Sequence, residues 1–500
     1  MEEIAAVAAE CGEEKKQINY EGVLELALEV GVGILSCGGS VSRVETAVDR
    51  ICRAYGAVEA NVAAFPSMVI ASVRTADEHE YSYMKRVYST SNNLALLEKY
   101  NQLSRDICVH KYPVNEALKT CFEVAHANVR DRRVTVLGAA LVAGVYSIFF
   151  GGTIADVLPA FIVAFGMSVL SELLSRRSLN VYASTFLLSL VGGVLSVSLC
   201  KLLNLIGLPC QGSYVMIGTI MILIPGLLTT NAVRDMFTGD LMSGTFQLLN
   251  GLLLTLVIAA GYGVSILALS PIADFVKLDP YIGWYNVAAA DEAWFKALML
   301  MISGTLGALS VCFFFNLNFK RIGWAVLASF LTLGVYVGML AAFNYNDDYI
   351  FLIVLVPTLF AAILSEIMAR KIKIPATIIL VPAIIAVVPG SSLYYTMEAI
   401  VSSNVETDLA TKWGSVCLLT LLGIAVGICT VTVIFRVISP VKLKFYKKNK
   451  FAELLKAKKY ESEEGGESQP QTVDAESEKQ TEIENQTESE KQTESEKKDG

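Results

Sequence analysis

The sequence YVMIGTIMILIPGLLTTNAVRD, residues 214–235, decides how the chain folds. About a dozen residues, most of them apolar, lead into Ile224-Pro225-Gly226. A proline inside a helix removes one backbone hydrogen bond and clashes with the preceding turn. In lipid a freed backbone group costs several kcal/mol unless protein or trapped water satisfies it, so such a break is tolerated only inside a helix bundle. The polar residues that follow the break are Thr229, Thr230, Asn231, Arg234 and Asp235.

A second hydrophobic stretch, IPATIILVPAIIAVVPGSSLYYTME at residues 374–398, repeats this arrangement. Two interrupted hydrophobic segments at matching positions in two halves of a chain are typical of a transporter's binding site. The alternative is that both breaks are kinks that serve only helix packing. The second break is Val388-Pro389-Gly390, and the polar residues that follow it are Ser391, Ser392, Tyr394 and Tyr395.

The composition indicates a membrane protein. The chain has 500 residues, of which 54% are hydrophobic, and its mean hydropathy of +0.51 is too apolar for a soluble protein with an acidic tail. Much of the acid behind the net charge of -8 lies near the C-terminus, so this charge says little about the rest. The ten cysteines include no CxxC pair and there are only three histidines, which predicts buried, reduced thiols and no zinc site. The acidic N-terminal sequence predicts no signal peptide.

Residues 20–130 predict a small α/β domain with its own core. A first amphipathic helix ends at Cys37-Gly38-Gly39-Ser40, and Ser42-x-x-Glu45 is a candidate capping box for a second helix. The elements expected after this helix are strands at 58–64, 67–74 and 81–87 and helices at 93–108 and 113–127.

From Arg133 onward the chain predicts ten membrane spans, each near the ~20 residues that a bilayer requires. Basic residues cluster in alternate connections, whereas the intervening connections are neutral or acidic. By the positive-inside rule both termini are therefore expected in the cytoplasm. The predicted spans are 134–150, 154–174, 181–205, 214–230, 243–269, 294–315, 323–343, 349–368, 374–394 and 414–437.

The predicted spans form two groups of five, each with a Pro-Gly break in its fourth member. An odd number of spans per repeat places the second copy upside down in the membrane. The predicted fold is a polytopic α-helical membrane protein with ten transmembrane helices in two inverted five-helix repeats, plus an N-terminal cytoplasmic α/β domain. The expected segments are a leader (1–19), the α/β domain (20–130), the first repeat (131–269), an extracytoplasmic connection (270–293), the second repeat (294–440) and a basic stretch with a disordered acidic tail (441–500).

Few charged residues lie within the predicted spans. Glu172 precedes Arg176 by four residues, and Glu366 precedes Arg370 by four, so each pair shares one helix face. We interpret both pairs as ion pairs that anchor the helix ends at the membrane interface. A role in proton coupling is the alternative.

Other chemistry has little support in the sequence. The nucleotide-binding pattern GxxxxGK[ST] does not occur, so we do not expect ATP to drive the protein directly. A serine of the N-terminal domain with His79, His110 or His126 could in principle form a hydrolase triad, but no spacing supports it. Arg234 and Asp235 either bind substrate or shape a gate, or they belong to a charged loop.

Short motifs recur in a definite order along the chain. They are Gly38-Gly39-Ser40-x-x-Arg43-Val44-Glu45, Ala54-Tyr55-Gly56, Pro66-Ser67, Asn101-x-Leu103-Ser104, Ile224-Pro225-Gly226 with Asn231-x-x-Arg234-Asp235, Arg370 to Ile374-Pro375-Ala376, and Val388-Pro389-Gly390-Ser391. In this order the chain resembles the threonine/serine exporter family over about residues 20–440. The resemblance implies an N-terminal cytoplasmic domain, ten spans and export driven by the proton motive force. Family members that are split into two polypeptides are linked to dicarboxylate export, and this chain is fused.

We therefore predict a secondary transporter of the plasma membrane, not an enzyme, that exports threonine, serine and similar small amino acids. The alternatives are a succinate-like dicarboxylate exporter with an essential Arg234, and a membrane-tethered enzyme or sensor that acts through the N-terminal domain. The expected partners are the bilayer, the substrate and protons, without a cofactor, metal or nucleic acid, and a homo-oligomer is left open. The predicted substrate-binding residues are Pro225, Gly226, Thr229, Thr230, Asn231, Pro389, Gly390, Ser391, Ser392 and Tyr395, and the predicted coupling or gating residues are Glu172, Arg234, Asp235 and Glu366.

Overall fold

A computed structural model gives the fold. It describes residues 19–88, 90–110, 112–126, 132–177, 179–269, 293–344, 346–401 and 408–435. The predicted leader, most of the predicted 270–293 connection and the predicted acidic tail lie outside these residues. The side chains of Thr230 and Arg234, both on a described helix, also lie outside the described part.

The N-terminal residues form four helices around a three-stranded antiparallel sheet of order β1-β2-β3. Every strand boundary lies within one residue of its predicted position. Successive side chains of a strand point to opposite faces, and the buried face of the central strand carries Val69, Ala71 and Val73. The elements are α1 (Tyr20–Ser36), α2 (Val41–Ala54), β1 (Glu59–Phe65), β2 (Met68–Arg74), β3 (Glu80–Arg86), α3 (Leu94–His110) and α4 (Val114–His126).

The predicted capping box at the start of α2 is wrong. The helix begins at Val41 with Ser40 as its N-cap residue, so Ser42 already lies inside the first turn. The carboxylate of Glu45 instead accepts a hydrogen bond of 3.1 Å from the backbone N–H of Ala64 on β1. Glu45 therefore binds a distant strand, whereas the local sequence pattern predicts that it caps its own helix.

Apolar helices make up the rest of the described chain. Eight of them are long and apolar enough to cross a membrane, and a bent pair at Thr377–Val387 and Gly390–Thr396 makes a ninth if it counts as one span. The protein is thus a polytopic α-helical membrane protein. The helices are α5 (Arg132–Phe149), α6 (Ile154–Ser175), α7 (Val181–Leu205), α8 (Gly212–Leu223), α9 (Gly226–Thr238), α10 (Leu241–Leu269), α11 (Ala293–Phe314), α12 (Phe319–Ala342), α13 (Ile350–Ile372), α14 (Thr377–Ile384), α15 (Gly390–Val401) and α16 (Asp408–Phe435).

The predicted fourth and ninth spans are interrupted. Helix α8 has only 12 residues and is followed by α9, which begins at Gly226. Helix α14 continues into a 3-10 turn at Ile385–Val387, and α15 then begins at Gly390 with a bend of 42° across the pair. Both interruptions fall at the Pro-Gly sequences, as predicted.

Candidate functional site

The two Pro-Gly breaks share one backbone geometry. At the first break the N–H of Gly226 donates to the carbonyl of Ile224 at 2.8 Å, and at the second the N–H of Gly390 donates to Val388 at 2.8 Å. Pro225 has φ -78° and ψ 49°, close to an inverse γ-turn. At each break the preceding helical segment ends two residues before the proline, and a new helix begins at the glycine that follows the proline.

The two breaks also contact each other. A Cβ on Gly390 would lie 2.4 Å from Sδ of Met221 and 3.2 Å from Cδ1 of Ile224, both at the end of α8 and its cap. A Cβ on Gly226 would lie 3.8 Å from a methyl group of Val388, which is ordinary van der Waals contact. A side chain at position 390 would therefore have to displace the flexible end of Met221.

A small polar cavity lies beside the second break. The volume in which the centre of a water-sized sphere can lie is about 90 Å³. On this measure a single water molecule needs roughly 10–15 Å³. We call it the polar cavity. Phe150, residues 386–389 and apolar residues of α12, α13 and α16 form the rest of its wall. Its polar lining residues are Tyr336, Asn346, Asp347, Ser391, Ser392, Tyr395, Trp413 and Thr420.

A second, mostly apolar cavity touches both breaks. It measures about 210 Å³ on the same scale and lies among α9, α10, α15 and α16. Pro225, Gly226 and Thr229 line it from the first break, and Pro389 and Leu393 line it from the second. The apolar cavity therefore joins the two predicted halves of the site, although its wall offers few polar groups.

Four of the five predicted residues of the second break line the polar cavity, and Gly390 does not. Pro389, Ser391, Ser392 and Tyr395 all line it. The hydroxyl of Ser392 is buried and donates to the carbonyl of Pro389 at 3.3 Å, whereas Ser391 is half-buried. These side chains place hydroxyl groups directly after a helix break.

The predicted polar residues of the first break are arranged differently. The Thr229 hydroxyl donates to the carbonyls of Pro225 (3.1 Å) and Gly226 (3.0 Å), so its hydrogen bonds stay within its own helix. Asn231 and Asp235 are buried and bind the N-terminal residues rather than lining either cavity. The first break thus contributes backbone and apolar surface to the apolar cavity and does not line the polar cavity.

The predicted coupling glutamates form the expected ion pairs. Glu172 binds Arg176 at 3.2 Å and also pairs with Arg132, and Glu366 binds Arg370 at 3.6 Å. The arginines are exposed, and ion pairs of this kind contribute only about 0–1 kcal/mol to stability. Neither glutamate lines the two cavities, which favours an anchoring role.

Several polar residues of the polar cavity, Asp347 and Trp413 among them, were not predicted from the sequence. Asp347 pairs with Lys412 at 3.2 Å, and the neighbouring Trp413 packs against Tyr395 with ring centroids 4.9 Å apart. The Trp413 indole N–H is buried and has no acceptor within the described part of the protein. Both residues stand next to the ends of predicted spans, where acidic and aromatic residues usually indicate interfacial anchors.

The described residues offer no arrangement for metal or hydrolytic chemistry. Among them, no three His, Cys, Asp or Glu side chains lie close enough to hold a metal ion. All three histidines are exposed, and each ring contacts a backbone carbonyl two to four residues away in its own segment.

The apolar helices and their paired breaks define a membrane transporter built from α-helices. Comparison with known proteins identifies its family: a threonine/serine exporter model matches residues 25–269, and a second model, "Threonine/Serine exporter, ThrE", matches residues 300–434. The chain belongs to the threonine/serine exporter family, whose members are transporters and not enzymes. It is 26% identical over 421 residues to a "Threonine/serine exporter" of Corynebacterium glutamicum, and the match covers 81% of each chain. No solved structure matches the chain.

Proposed function

We propose that the protein is a secondary active exporter of threonine, serine and similar small amino acids, driven by the proton motive force. One observation supports this most strongly: the second Pro-Gly break opens beside a small cavity lined with hydroxyl groups and a carboxylate. Interrupted helices expose backbone groups that bind the charged ends of substrates. Membership of an exporter family of the same name agrees with the proposal.

The chemistry of the polar cavity suits a small zwitterion. The first amides of a helix have no acceptor within that helix and carry partial positive charge, so the start of α15 at Ser391 and Ser392 can receive a carboxylate. Asp347 can receive the ammonium group in competition with Lys412. The hydroxyls and the Trp413 indole can then bind the substrate's own hydroxyl group. A dicarboxylate would meet Asp347 with like charge, which favours the amino acid.

We propose the predicted topology for the same protein. In it α8 and α9 form the fourth of ten spans and α14 and α15 the ninth, within two inverted five-helix repeats that follow an N-terminal cytoplasmic α/β domain. The identical backbone turns at the fourth member of each group support the repeat. The alternating basic connections support a plasma-membrane protein with both termini in the cytoplasm.

Counterflow with the purified protein in proteoliposomes tests the substrate class. Vesicles loaded with unlabelled threonine or serine are expected to accumulate labelled threonine, whereas vesicles loaded with succinate are not. A proton gradient imposed across the vesicle membrane is expected to accelerate net threonine movement, and a protonophore should cancel the acceleration. Succinate counterflow that Arg234→Gln abolishes, with none for threonine, would establish the dicarboxylate alternative instead.

A further inference from the structure

The N-terminal residues bind both groups of membrane helices through the free amides at two helix starts. The first four N–H groups of a helix lack acceptors within it and must find them elsewhere. At α2 and at α3 the acceptors come from membrane helices that are distant in sequence. We call these two places the α9 contact (Gly38 and Val41 with Asn231 and Asp235) and the α11 contact (residues 93–98 with residues 315–321).

At the α9 contact a buried carboxylate caps α2. The N–H of Val41, the first residue of α2, donates to Oδ2 of Asp235 at 3.3 Å, and Asn231 Nδ2 donates to the carbonyl of Gly38 at 3.0 Å. Asp235 is fully buried and also accepts from Gln247 Nε2 at 2.9 Å. A negative group at a helix start is stabilising, since the helix dipole is positive there.

At the α11 contact two helices meet end to end. The first amides of α3, at Leu94 and Ala95, donate to the carbonyls of Phe315 and Asn316, just past the end of α11, at 3.0 and 3.2 Å. The positive start of one helix thus faces the negative end of the other. An Asn93–Asn316 side-chain hydrogen bond and the ion pair between Glu98 and Arg321 (2.9 Å) strengthen the contact.

The α2 helix carries a second cap that this conformation does not use. Ser40 occupies the N-cap position with extended backbone angles (φ -77°, ψ 152°), yet its hydroxyl makes no capping hydrogen bond. Serine is among the preferred N-cap residues, because its oxygen can accept from the second or third amide of the helix. Ser40 can therefore cap the second or third amide of α2, and so keep the first turn capped when Asp235 is withdrawn from the Val41 amide.

We infer that the N-terminal residues form a brace that stays on α11 and releases α9 during the transport cycle, with Ser40 keeping the first turn of α2 capped once Asp235 has left Val41. The inference rests on the proposed transport function. Two observations decide which contact opens. Of the hydrogen bonds and ion pairs described above, four belong to the α11 contact and two to the α9 contact. The break at Pro225 also separates α9 from α8, so α9 can tilt alone.

Hydrogen exchange followed by mass spectrometry tests the inference on the full-length protein in lipid nanodiscs. Saturating L-threonine is expected to raise exchange in peptides that cover residues 41–46 and to leave peptides that cover 93–98 protected. A rise in melting temperature with threonine shows separately that it binds. If threonine binds and 41–46 stays protected, or if 93–98 opens together with it, the brace is contradicted.

Variants test the brace even if threonine does not bind, which would be a failure of the proposed function alone. Asp235→Asn removes the capping charge and is expected to raise exchange at 41–46 about five- to thirty-fold, the factor that corresponds to one or two kcal/mol. The matched control Glu98→Gln, on the other contact, should leave 41–46 unchanged. Ser40→Ala combined with Asp235→Asn should raise exchange further than Asp235→Asn alone. Unchanged exchange at 41–46 in Asp235→Asn would overturn the inference.

Discussion

Ser391 lies two residues after Pro389 and Thr229 lies four residues after Pro225, and their hydroxyl groups have different surroundings. The Thr229 hydroxyl donates to two backbone carbonyls in its own segment, at Pro225 and Gly226. Serine and threonine in helices often donate to a carbonyl one turn earlier in this way. Ser391 is half-buried in the wall of the polar cavity, at the first turn of α15. We therefore propose that Ser391 binds substrate, whereas the Thr229 hydroxyl serves only hydrogen bonds within its own segment.

A pair of substitutions separates these two roles. Ser391→Ala is expected to raise the KM for threonine roughly five- to ten-fold, since a lost hydrogen bond is worth about 1 kcal/mol. Thr229→Val keeps the shape of its side chain and should change KM by less than about two-fold. Initial rates of threonine counterflow at varied concentration measure both. Equal effects of the two substitutions would argue against the polar cavity as the substrate site.

The sequence indicates only part of the site, for a simple geometric reason. Ser391, Ser392 and Tyr395 were predicted because they follow a proline break, and they line the polar cavity. Asp347 and Trp413 reach the same cavity from two other helices, and no local pattern joins residues that distant in sequence. Periodicity likewise places Asn231 and Asp235 on one face of α9, but it does not reveal that the N-terminal residues cover that face.

At the scale of elements, the break geometry depends on how closely α15 approaches α8. Gly390 and Gly226 occupy equivalent positions, each as the first residue of a helix after a proline. Only position 390 lacks room for a Cβ, because Met221 lies against it. Both breaks can be predicted from their prolines. The contact between them cannot, because it depends on the packing of two helices that are distant in sequence.

Alanine substitutions at these two glycines test the packing. Gly390→Ala is expected to destabilise the protein by about 1 kcal/mol, the lower end of the range for overpacking, because the flexible Met221 side chain can move. Gly226→Ala should have little effect on stability. Shortening the neighbour in the double variant Gly390→Ala/Met221→Ala should cost less than the sum of the single substitutions. Melting temperatures of the purified variants measure this. Strictly additive losses would contradict the contact.

A pH effect is expected where α2 meets β1 and α9. Burial raises the pKa of Glu45 above its usual range, and Asp240 and Asp235 add to the increase, while the hydrogen bond from Ala64 opposes it. The folded protein therefore binds a proton at this carboxylate more readily than the unfolded chain, so stability rises as the pH falls through the raised pKa.

Glu45→Gln removes this titration and keeps an acceptor for the Ala64 amide. Between neutral and mildly acidic pH, the melting temperature of the wild-type protein is expected to approach that of Glu45→Gln as the pH is lowered. Melting curves of both proteins at several pH values measure the difference. A difference that grows on acidification would contradict the assigned cause.

At the scale of the whole molecule, the proposed topology rests on charge distribution and on the two matching breaks. Single helices are easily recognised by their length and apolarity, and eight of the described ones could cross a membrane unaided. The interrupted segments are harder to assign, since α8 with its 12 residues is too short to span alone. The membrane orientation of each helix follows only from the basic connections.

Cysteine labelling tests the orientation. In a cysteine-free background, Asp279→Cys is expected to react with a membrane-impermeant maleimide added to intact cells, because the 270–293 connection is predicted outside. Lys320→Cys should react only after the membrane is permeabilised. The reverse pattern would contradict the proposed orientation with both termini in the cytoplasm.

The central claim is that the two Pro-Gly breaks open their helices at a substrate site. Replacing either proline by alanine restores an amide donor and removes the ring clash, so the helix can close its own hydrogen bonds. An interior proline costs a helix about 3 kcal/mol, so its removal need not destabilise the protein. Closing the break withdraws the backbone groups that would bind substrate.

The most direct measurement determines the melting temperature and the threonine counterflow of the same purified Pro225→Ala and Pro389→Ala proteins. We expect an unchanged or higher melting temperature and at least about a ten-fold loss of counterflow. A ten-fold loss corresponds to roughly 1.4 kcal/mol of lost stabilisation of the bound substrate or of the transition state. Full counterflow in both variants, or a loss of transport that only follows a loss of stability, would contradict the central claim.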